Sequence, residues 1–323
     1  MTESPNPRLI ADLVKMYERS AERLRQIVLH PPGNLSAPYN QSRAQTLLAE
    51  VEAEITRLKS GAAHWTGQAM TDSTNQGIDL ARQQIDAIRS VAGTPPDAVA
   101  LSPFPTSPRP AAWQNVNHDA LRLLAADTQR DLTIAAEGLG KLAKGTLNQL
   151  SGLGVTPKEV NDILAGRLTG AGRGGSLGTQ YRELRDKLTA VNGKKVQIPC
   201  KDGITREYDT KYYAEMISRT KTRQAIVEAK HQQFAAEGID LVKIVGRISP
   251  HFCTAYLGHI YSISGASKKY PALDLLTVSG VPAPGPPFHP NCSKSSIPYV
   301  ENAEAVSQRI ADRIKTINAA RAA

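Results

Sequence analysis

"KKVQIPCKDGITREYD", residues 194–209, decides the fold class of this chain. Two short runs of strand-forming residues flank the pair Asp202-Gly203. That pair favours a tight turn, because glycine adopts a positive φ at no steric cost. The stretch therefore predicts a β-hairpin in a chain whose other long segments have helical patterns.

A helix is predicted directly after the hairpin, from Thr210 to about Ala236. Its apolar residues recur at helical spacing and form one stripe along the helix. A neighbouring stripe is basic and contains Arg219, Arg223 and Lys230. The apolar stripe consists of Tyr213, Met216, Ile217, Thr220, Val227 and Phe234.

Three strand-like segments follow this helix, at 239–249, 258–265 and 295–300. They are short, and their ends carry turn-forming residues. An amphipathic helix is predicted after them, over 301–323. The fold class is therefore α+β: a mostly helical N-terminal half and a small mixed C-terminal domain of hairpin, helix and short antiparallel strands.

The N-terminal half contains apolar residues at helical spacing in three segments, 7–29, 41–60 and 76–91. The sequence "HPPGNLSAPYN" at 30–40 is predicted to end the first helix and separate it from the second. The apolar stripes need a partner, so these helices should pack against each other or dock on another protein. Residues 1–91 are predicted to be a helical partner-docking region.

A Pro/Ser/Ala-rich segment at 92–117 is predicted to be an extended linker. Helical character returns over 118–190, where Thr156 and Glu159 form the pattern of a capping box. Glycines at 138, 140 and 145 predict a kink or break in the first helix of this region. The α+β domain then occupies 191–300 and the amphipathic helix 301–323.

The composition indicates a globular protein with a basic surface. The 323 residues carry a net charge of +9, and 41% of them are hydrophobic. A positive surplus favours polyanionic partners, nucleic acid first. No apolar run approaches the roughly 18 residues of a membrane span, and the N-terminus has no secretory signal pattern. Synthesis in a cytoplasm is therefore expected.

Histidine and cysteine are concentrated in the α+β domain. "SPHFCTAYLGH" supplies His251 and Cys253, and "FHPNC" supplies His289 and Cys292. Thiolate and imidazole are ligands that zinc prefers, so the four could hold a structural zinc. Alternatives are plain packing, a disulfide between Cys253 and Cys292, and a cysteine nucleophile with a histidine base.

Basic residues are also concentrated in one stretch, 173–230, which holds thirteen basic and seven acidic residues, a surplus of six. The simpler interpretation is a solvated helix face. The functional interpretation is contact with phosphates without readout of bases. The residues predicted to contact DNA are Arg219, Arg223, Lys230, Lys194 and Lys195.

The order of motifs in the C-terminal third resembles one protein family. "YAEMISRT" is followed by a strand, then by "SPHFCTAYLGHIYSISG", and finally by "PPFHPNCSK". This order is similar to that of the tailed-phage minor capsid proteins related to the phage Mu-like head morphogenesis family. The family pattern has further cysteines where this chain has Tyr256 and Lys294, so His251, Cys253, His289 and Cys292 are the ligand set that remains.

The resemblance implies a structural virion protein inside the head, near the portal vertex, and made in the bacterial host cytoplasm. Such a protein would act in head assembly and in DNA packaging or delivery. Its implied partners are the portal or major capsid protein, with several copies around the portal, and double-stranded DNA bound non-specifically. The chain is expected not to be an enzyme: no catalytic residue and no cofactor are assigned, although the two histidines and two cysteines would suit a structural zinc.

Two other functions compete with this hypothesis. The first is a zinc-dependent hydrolase or nuclease that uses the histidines and cysteines. The second is a self-assembling scaffold, or an effector that travels with the virion.

Overall fold

The computed structural model describes residues 4–91, 111–168, 175–199, 203–275, 277–278, 281–282 and 285–299. Its helices are α1 (Pro7–Leu29), α2 (Gln41–Val91), α3 (Ala111–Gly152), α4 (Pro157–Leu164), α5 (Gly175–Asn192) and α6 (Thr210–Ala236). Its strands are β1 (Lys195–Pro199), β2 (Thr205–Asp209), β3 (Leu241–Val245), β4 (Ile260–Ser262), β5 (Thr277–Val278), β6 (Val281–Pro282) and β7 (Ser295–Pro298). The predicted α+β class is confirmed.

The described residues form two compact units. The first, here called the hairpin unit, comprises the described residues within 8–66 and 127–217. The second, here called the sheet unit, comprises the described residues within 1–7, 67–126 and 218–323. Each unit combines segments that are distant in sequence, whereas the sequence suggested consecutive regions. The units are not consecutive in sequence because the helices are long. Helix α2 alone has 51 residues and a length of roughly 75 Å, more than one small domain accommodates.

The hairpin unit buries the apolar stripe of α1. The indole N–H of Trp65 donates a hydrogen bond to the Leu9 carbonyl at 2.7 Å. The hydroxyl of Tyr17 donates to the Leu132 carbonyl at 2.6 Å. Helix α1 therefore packs against other helices of the same unit, and its buried apolar stripe is not available to a docking partner. The buried members of the α1 stripe include Leu9, Leu13, Tyr17, Leu24 and Val28.

The predicted capping box and hairpin are both present in this unit. The backbone N–H of Thr156 donates to the Glu159 carboxylate at 2.8 Å, and the Thr156 hydroxyl accepts from the Glu159 N–H at 3.3 Å. Strand β1 pairs antiparallel with β2, in a register that places Lys195 opposite Asp209. Gly203 has a φ of +78°, as expected for a turn glycine.

Helix α3 corrects two expectations. It begins at Ala111, inside the segment predicted as a linker, and it runs without a break to Gly152. Two of its glycines serve close packing: a Cβ on Gly138 would lie 2.5 Å from the Gln197 carbonyl oxygen, and one on Gly140 would lie 2.8 Å from the Ile55 side chain. The rest of the predicted linker, 92–110, lies outside the described residues, as does the C-terminal helix predicted at 301–323.

The sheet unit is built on three antiparallel strands in the order β4-β3-β7. Burial alternates along β3, with Val242 and Ile244 facing the core. Full burial of each large apolar side chain contributes about 1.5–3 kcal/mol to folding. The core comprises Ala81, Ile85, Phe234, Val242, Ile244, Cys253, Tyr261, Leu273, Phe288 and Cys292. Two of the cysteines singled out from the sequence are therefore core residues.

A membrane-spanning helix was not expected, and among the described residues no helix is both long enough and apolar enough to cross a bilayer.

The role of Gly138 can be tested by substitution. Gly138→Ala should lower the free energy of unfolding by about 1–3 kcal/mol, because the added methyl forces β1 away from α3. Gly145→Ala, in the same helix, is the matched control: its Cβ would meet nothing within 4 Å. That variant should gain about 0.5–1 kcal/mol from helix propensity. Denaturant unfolding measures both, and equal effects would contradict the packing argument.

Candidate functional site

Two loops of the sheet unit bring reactive side chains together. Cys253 lies in a short 3-10 turn, Phe252–Tyr256, between β3 and β4. His289 and Cys292 lie in the proline-rich segment that leads into β7. The Sγ of Cys253 is 3.2 Å from Nε2 of His289. The ligand atoms of Cys253, His289 and Cys292 all lie within 4.8 Å of one another, and these three residues are called the Cys/His cluster below.

The imidazole of His289 is oriented by a backbone group. Its Nδ1 lies 2.7 Å from the Pro290 carbonyl oxygen, which can only accept a hydrogen bond. In the neutral ring Nδ1 therefore carries the proton, and the lone pair of Nε2 faces the sulfur of Cys253. This arrangement suits two partners equally: the S–H of a thiol or a metal ion.

Cys253 and Cys292 are both buried free thiols. Burial raises the pKa of the Cys292 thiol, because a thiolate there would lose its hydration. Backbone hydrogen bonds at Lys294 and Phe288 act in the opposite direction, and the nearby Cys253 adds to the increase. In this state Cys292 remains protonated at neutral pH, so it is not an activated nucleophile.

His251 lies beside the cluster. Its ring centroid is 4.7 Å from that of His289, with 36° between the ring planes. The side chain is exposed, unlike the two cysteines. Three of the four residues singled out from the sequence thus form a compact cluster, and the fourth lies beside it, against His289, at the surface.

Tyr256 and Lys294 occupy the positions where the resembled pattern has cysteines. The ring of Tyr256 stacks on Phe288 with centroids 4.7 Å apart, so it fills core space. Lys294 is fully buried, and its ammonium donates to the Ser249 hydroxyl at 3.1 Å and to the Arg247 carbonyl. The Ser249 hydroxyl is in turn 3.9 Å from the sulfur of Cys253. A buried cation therefore lies next to the cluster.

Two residues predicted to contact DNA point into the fold instead. Arg223 is half-buried and donates to the carbonyls of Cys292 and Lys294, the latter at 2.9 Å. Lys230 is fully buried, and its ammonium donates to the Ser296 carbonyl at 2.6 Å and to the Ser295 hydroxyl at 3.1 Å. These contacts are called the α6–β7 clamp below. Their burial corrects the expectation for these two residues.

The sequence contained one signal for this burial. Lys230 lies four residues before Phe234, and residues so spaced share one face of a helix. Phe234 was assigned to the apolar stripe and is fully buried. A lysine on the same face is therefore expected to lie against the core, with its ammonium bound to backbone carbonyls.

The other predicted DNA-binding residues lie at the surface. Arg219 is exposed on α6. Lys194 and Lys195 are half-buried and belong to the hairpin unit. The ammonium of Lys194 is 2.7 Å from the Glu22 carboxylate. That hydrogen bond, with a second from Gln26, lowers the pKa of Glu22 to about 2.

His231 is a buried histidine beside the α6–β7 clamp. Its Nε2 lies 2.6 Å from the Ser296 hydroxyl. Burial, and secondarily the charge of Lys230, lower the pKa of His231 to about 3. The ring is therefore neutral at physiological pH and acts as a structural hydrogen-bonding group.

Comparison with known families agrees with the resemblance. Residues 194–323 match the family model described as phage minor capsid protein 2. The matched range includes the hairpin, α6, the three-stranded sheet and the Cys/His cluster. Comparisons with curated proteins and with solved structures give no match. The family match supports a phage minor capsid protein, that is, a structural component of the phage head.

The α6–β7 clamp predicts different effects for two arginines one helical turn apart. Arg223→Met should lower the free energy of unfolding by about 1.5–3 kcal/mol, because two carbonyls lose a charged donor. Arg219→Met, at an exposed position, should change it by less than about 0.5 kcal/mol. Denaturant unfolding measures both variants. A loss for Arg219→Met as large as that for Arg223→Met would refute the assigned role of the clamp.

The buried neutral His231 predicts a pH dependence of stability. Below its usual pKa near 6.5 the unfolded chain takes up a proton that the folded chain accepts only near pH 3. The contribution of His231 to the free energy of unfolding is therefore complete above pH 6.5. It declines as the pH falls, by up to about 1.4 kcal/mol per pH unit. His231→Gln should flatten this slope between pH 6.5 and 5 in denaturant unfolding, whereas His259→Gln, at an exposed position, should not. Equal slopes in wild type and His231→Gln would contradict the account.

Proposed function

Since residues 194–323 match the phage minor capsid protein 2 family, we propose that this chain is a minor structural protein of a tailed-phage head, located near the portal vertex. It acts there in head assembly and in DNA packaging or delivery, in several copies around the portal. The family match is the observation that carries the proposal. The portal position and the contact with DNA extend it.

The use of the motif residues supports a structural role. Arg223 holds the segment just before β7, Lys230 holds β7 itself, and Lys294 binds the segment between β3 and the 3-10 turn. Cys253 and Cys292 lie in the core. These side chains stabilise the sheet unit, which supports a structural role for the motifs.

Docking on the portal or major capsid protein would use exposed residues. The apolar stripe of α1 is buried within the hairpin unit, so it cannot be the contact surface that the sequence suggested. The exposed polar faces of the N-terminal helices remain for that purpose. An interface of this kind is polar and depends on shape and charge complementarity.

Non-specific DNA binding is the second part of the proposal. The chain has a net charge of +9, which favours the phosphate backbone. Arg223 and Lys230 are engaged in the clamp, so the proposed contacts are Arg219 on the sheet unit and Lys194 and Lys195 on the hairpin unit. Of these, Lys194 is also ion-paired with Glu22. Long flexible cations of this type contact phosphates without reading bases.

A salt titration tests the DNA contacts. The affinity of the full-length protein for a short mixed-sequence duplex should fall steeply between about 50 and 200 mM salt, because binding releases condensed counterions. Arg219→Ala should reduce the slope of log affinity against log salt by about 0.9, the value for one phosphate contact. The double variant Lys194→Ala/Lys195→Ala should reduce it by up to about twice that amount.

Arg130→Ala is the control, since Arg130 is exposed on α3, outside the basic stretch. Its slope should equal that of the wild type. A flat salt response of the wild type would refute DNA binding and leave the head assignment standing. Cleavage of the duplex that disappears in His289→Ala would instead favour the zinc-dependent nuclease.

A further inference from the structure

We propose that the Cys/His cluster, completed by His251, is a structural zinc site that ties the 3-10 turn Phe252–Tyr256 to the loop before β7. The four ligands would be the imidazoles of His251 and His289 and the thiolates of Cys253 and Cys292. The site does not depend on the proposed function of the chain, because it rests on the geometry of the sheet unit alone.

The spacing of the ligand atoms fits a single small ion. Zinc binds sulfur at about 2.3 Å and imidazole nitrogen at about 2.0–2.1 Å, so tetrahedral ligands stand roughly 3.3–3.8 Å apart. The Cys253–His289 pair, at 3.2 Å, already has nearly this separation. All three ligand atoms of the cluster lie within 4.8 Å of one another, so small side-chain rotations are sufficient to enclose an ion.

The protonation states also fit. The hydrogen bond from Nδ1 of His289 to the Pro290 carbonyl leaves Nε2 with its lone pair towards the cluster. A backbone carbonyl in this position commonly orients metal-bound histidines. Each thiol gives up its proton when it binds zinc, so two thiolates and one Zn²⁺ form a neutral unit. Because Cys253 and Cys292 are buried, a unit without net charge has the lowest desolvation cost at this position.

His251 is the fourth ligand that the geometry favours. Its ring lies 4.7 Å from that of His289 and is exposed, so it can rotate towards the ion without displacing a core residue. Tyr256 and Lys294 do not compete for this position. The tyrosine packs against Phe288, and the lysine ammonium is bound to the Ser249 hydroxyl and the Arg247 carbonyl.

The buried ammonium of Lys294 lies near this site without entering it. It donates to the Ser249 hydroxyl at 3.1 Å and to the Arg247 carbonyl. The Ser249 hydroxyl is 3.2 Å from the Thr254 hydroxyl and 3.9 Å from the sulfur of Cys253. Lys294 is therefore a neighbour of the site and not a ligand.

The test is metal binding by the purified full-length chain under reducing conditions. After reconstitution and dialysis, elemental analysis should find about one zinc per chain. Cobalt substitution should give the absorption bands of a tetrahedral site together with thiolate-to-cobalt charge transfer. Cys253→Ser and Cys292→Ser should each weaken zinc binding by more than about 100-fold. Loss of a residue that only supports a ligand weakens metal binding by no more than about that factor. Zinc should also raise the wild-type midpoint of thermal unfolding.

Matched controls make the assignment specific. Cys200→Ser removes the third cysteine of the chain and should retain one zinc. His251→Ala should change the visible spectrum of the cobalt form, whereas His259→Ala, also at an exposed position, should not. Absence of stoichiometric zinc in the folded wild type, or an equal loss in Cys200→Ser, would overturn the site. An unchanged cobalt spectrum in His251→Ala would overturn the fourth ligand.

Discussion

Two cations of one helix, Arg223 and Lys230, hold the last strand of the sheet unit. Both donate to backbone carbonyls on the segment 292–296, and Lys230 is fully buried. Burying a charged group costs free energy unless that group forms hydrogen bonds. The folded chain therefore has to keep these contacts. They fix the position of β7 against β3, and with it the loop that carries His289 and Cys292. The geometry of the Cys/His cluster therefore depends on the clamp.

This dependence changes the interpretation of the family motifs. A basic helix followed by histidine and cysteine motifs suggests a nucleic-acid or metal enzyme when the residues are considered one at a time. In the folded chain one small sheet is stabilised by these side chains: Arg223, Lys230, Lys294, Cys253 and Cys292. That use agrees with the match of residues 194–323 to a phage minor capsid protein family, whose members are structural. Arg219, Lys194 and Lys195 are then the residues proposed to contact DNA.

Features set by local sequence were predictable. The hairpin over 194–209, the bounds of α6 and the capping box at Thr156 depend on neighbouring residues, and the structure confirms each. Long-range contacts were not predictable. The carbonyl that Lys230 binds lies 66 residues away, and the glycine at 138 reflects the approach of β1. The spacing of Lys230 and Phe234 on one helix face indicated burial of the lysine but could not identify its partners in β7.

The account is tested most directly by locating the chain in particles of the phage that encodes it. A cryo-EM reconstruction without imposed symmetry should show the sheet unit, with α6 packed on the β4-β3-β7 sheet, in a few copies inside the head beside the portal vertex. Density for it at every capsid position, or its absence from mature particles, would contradict a minor capsid protein at the portal.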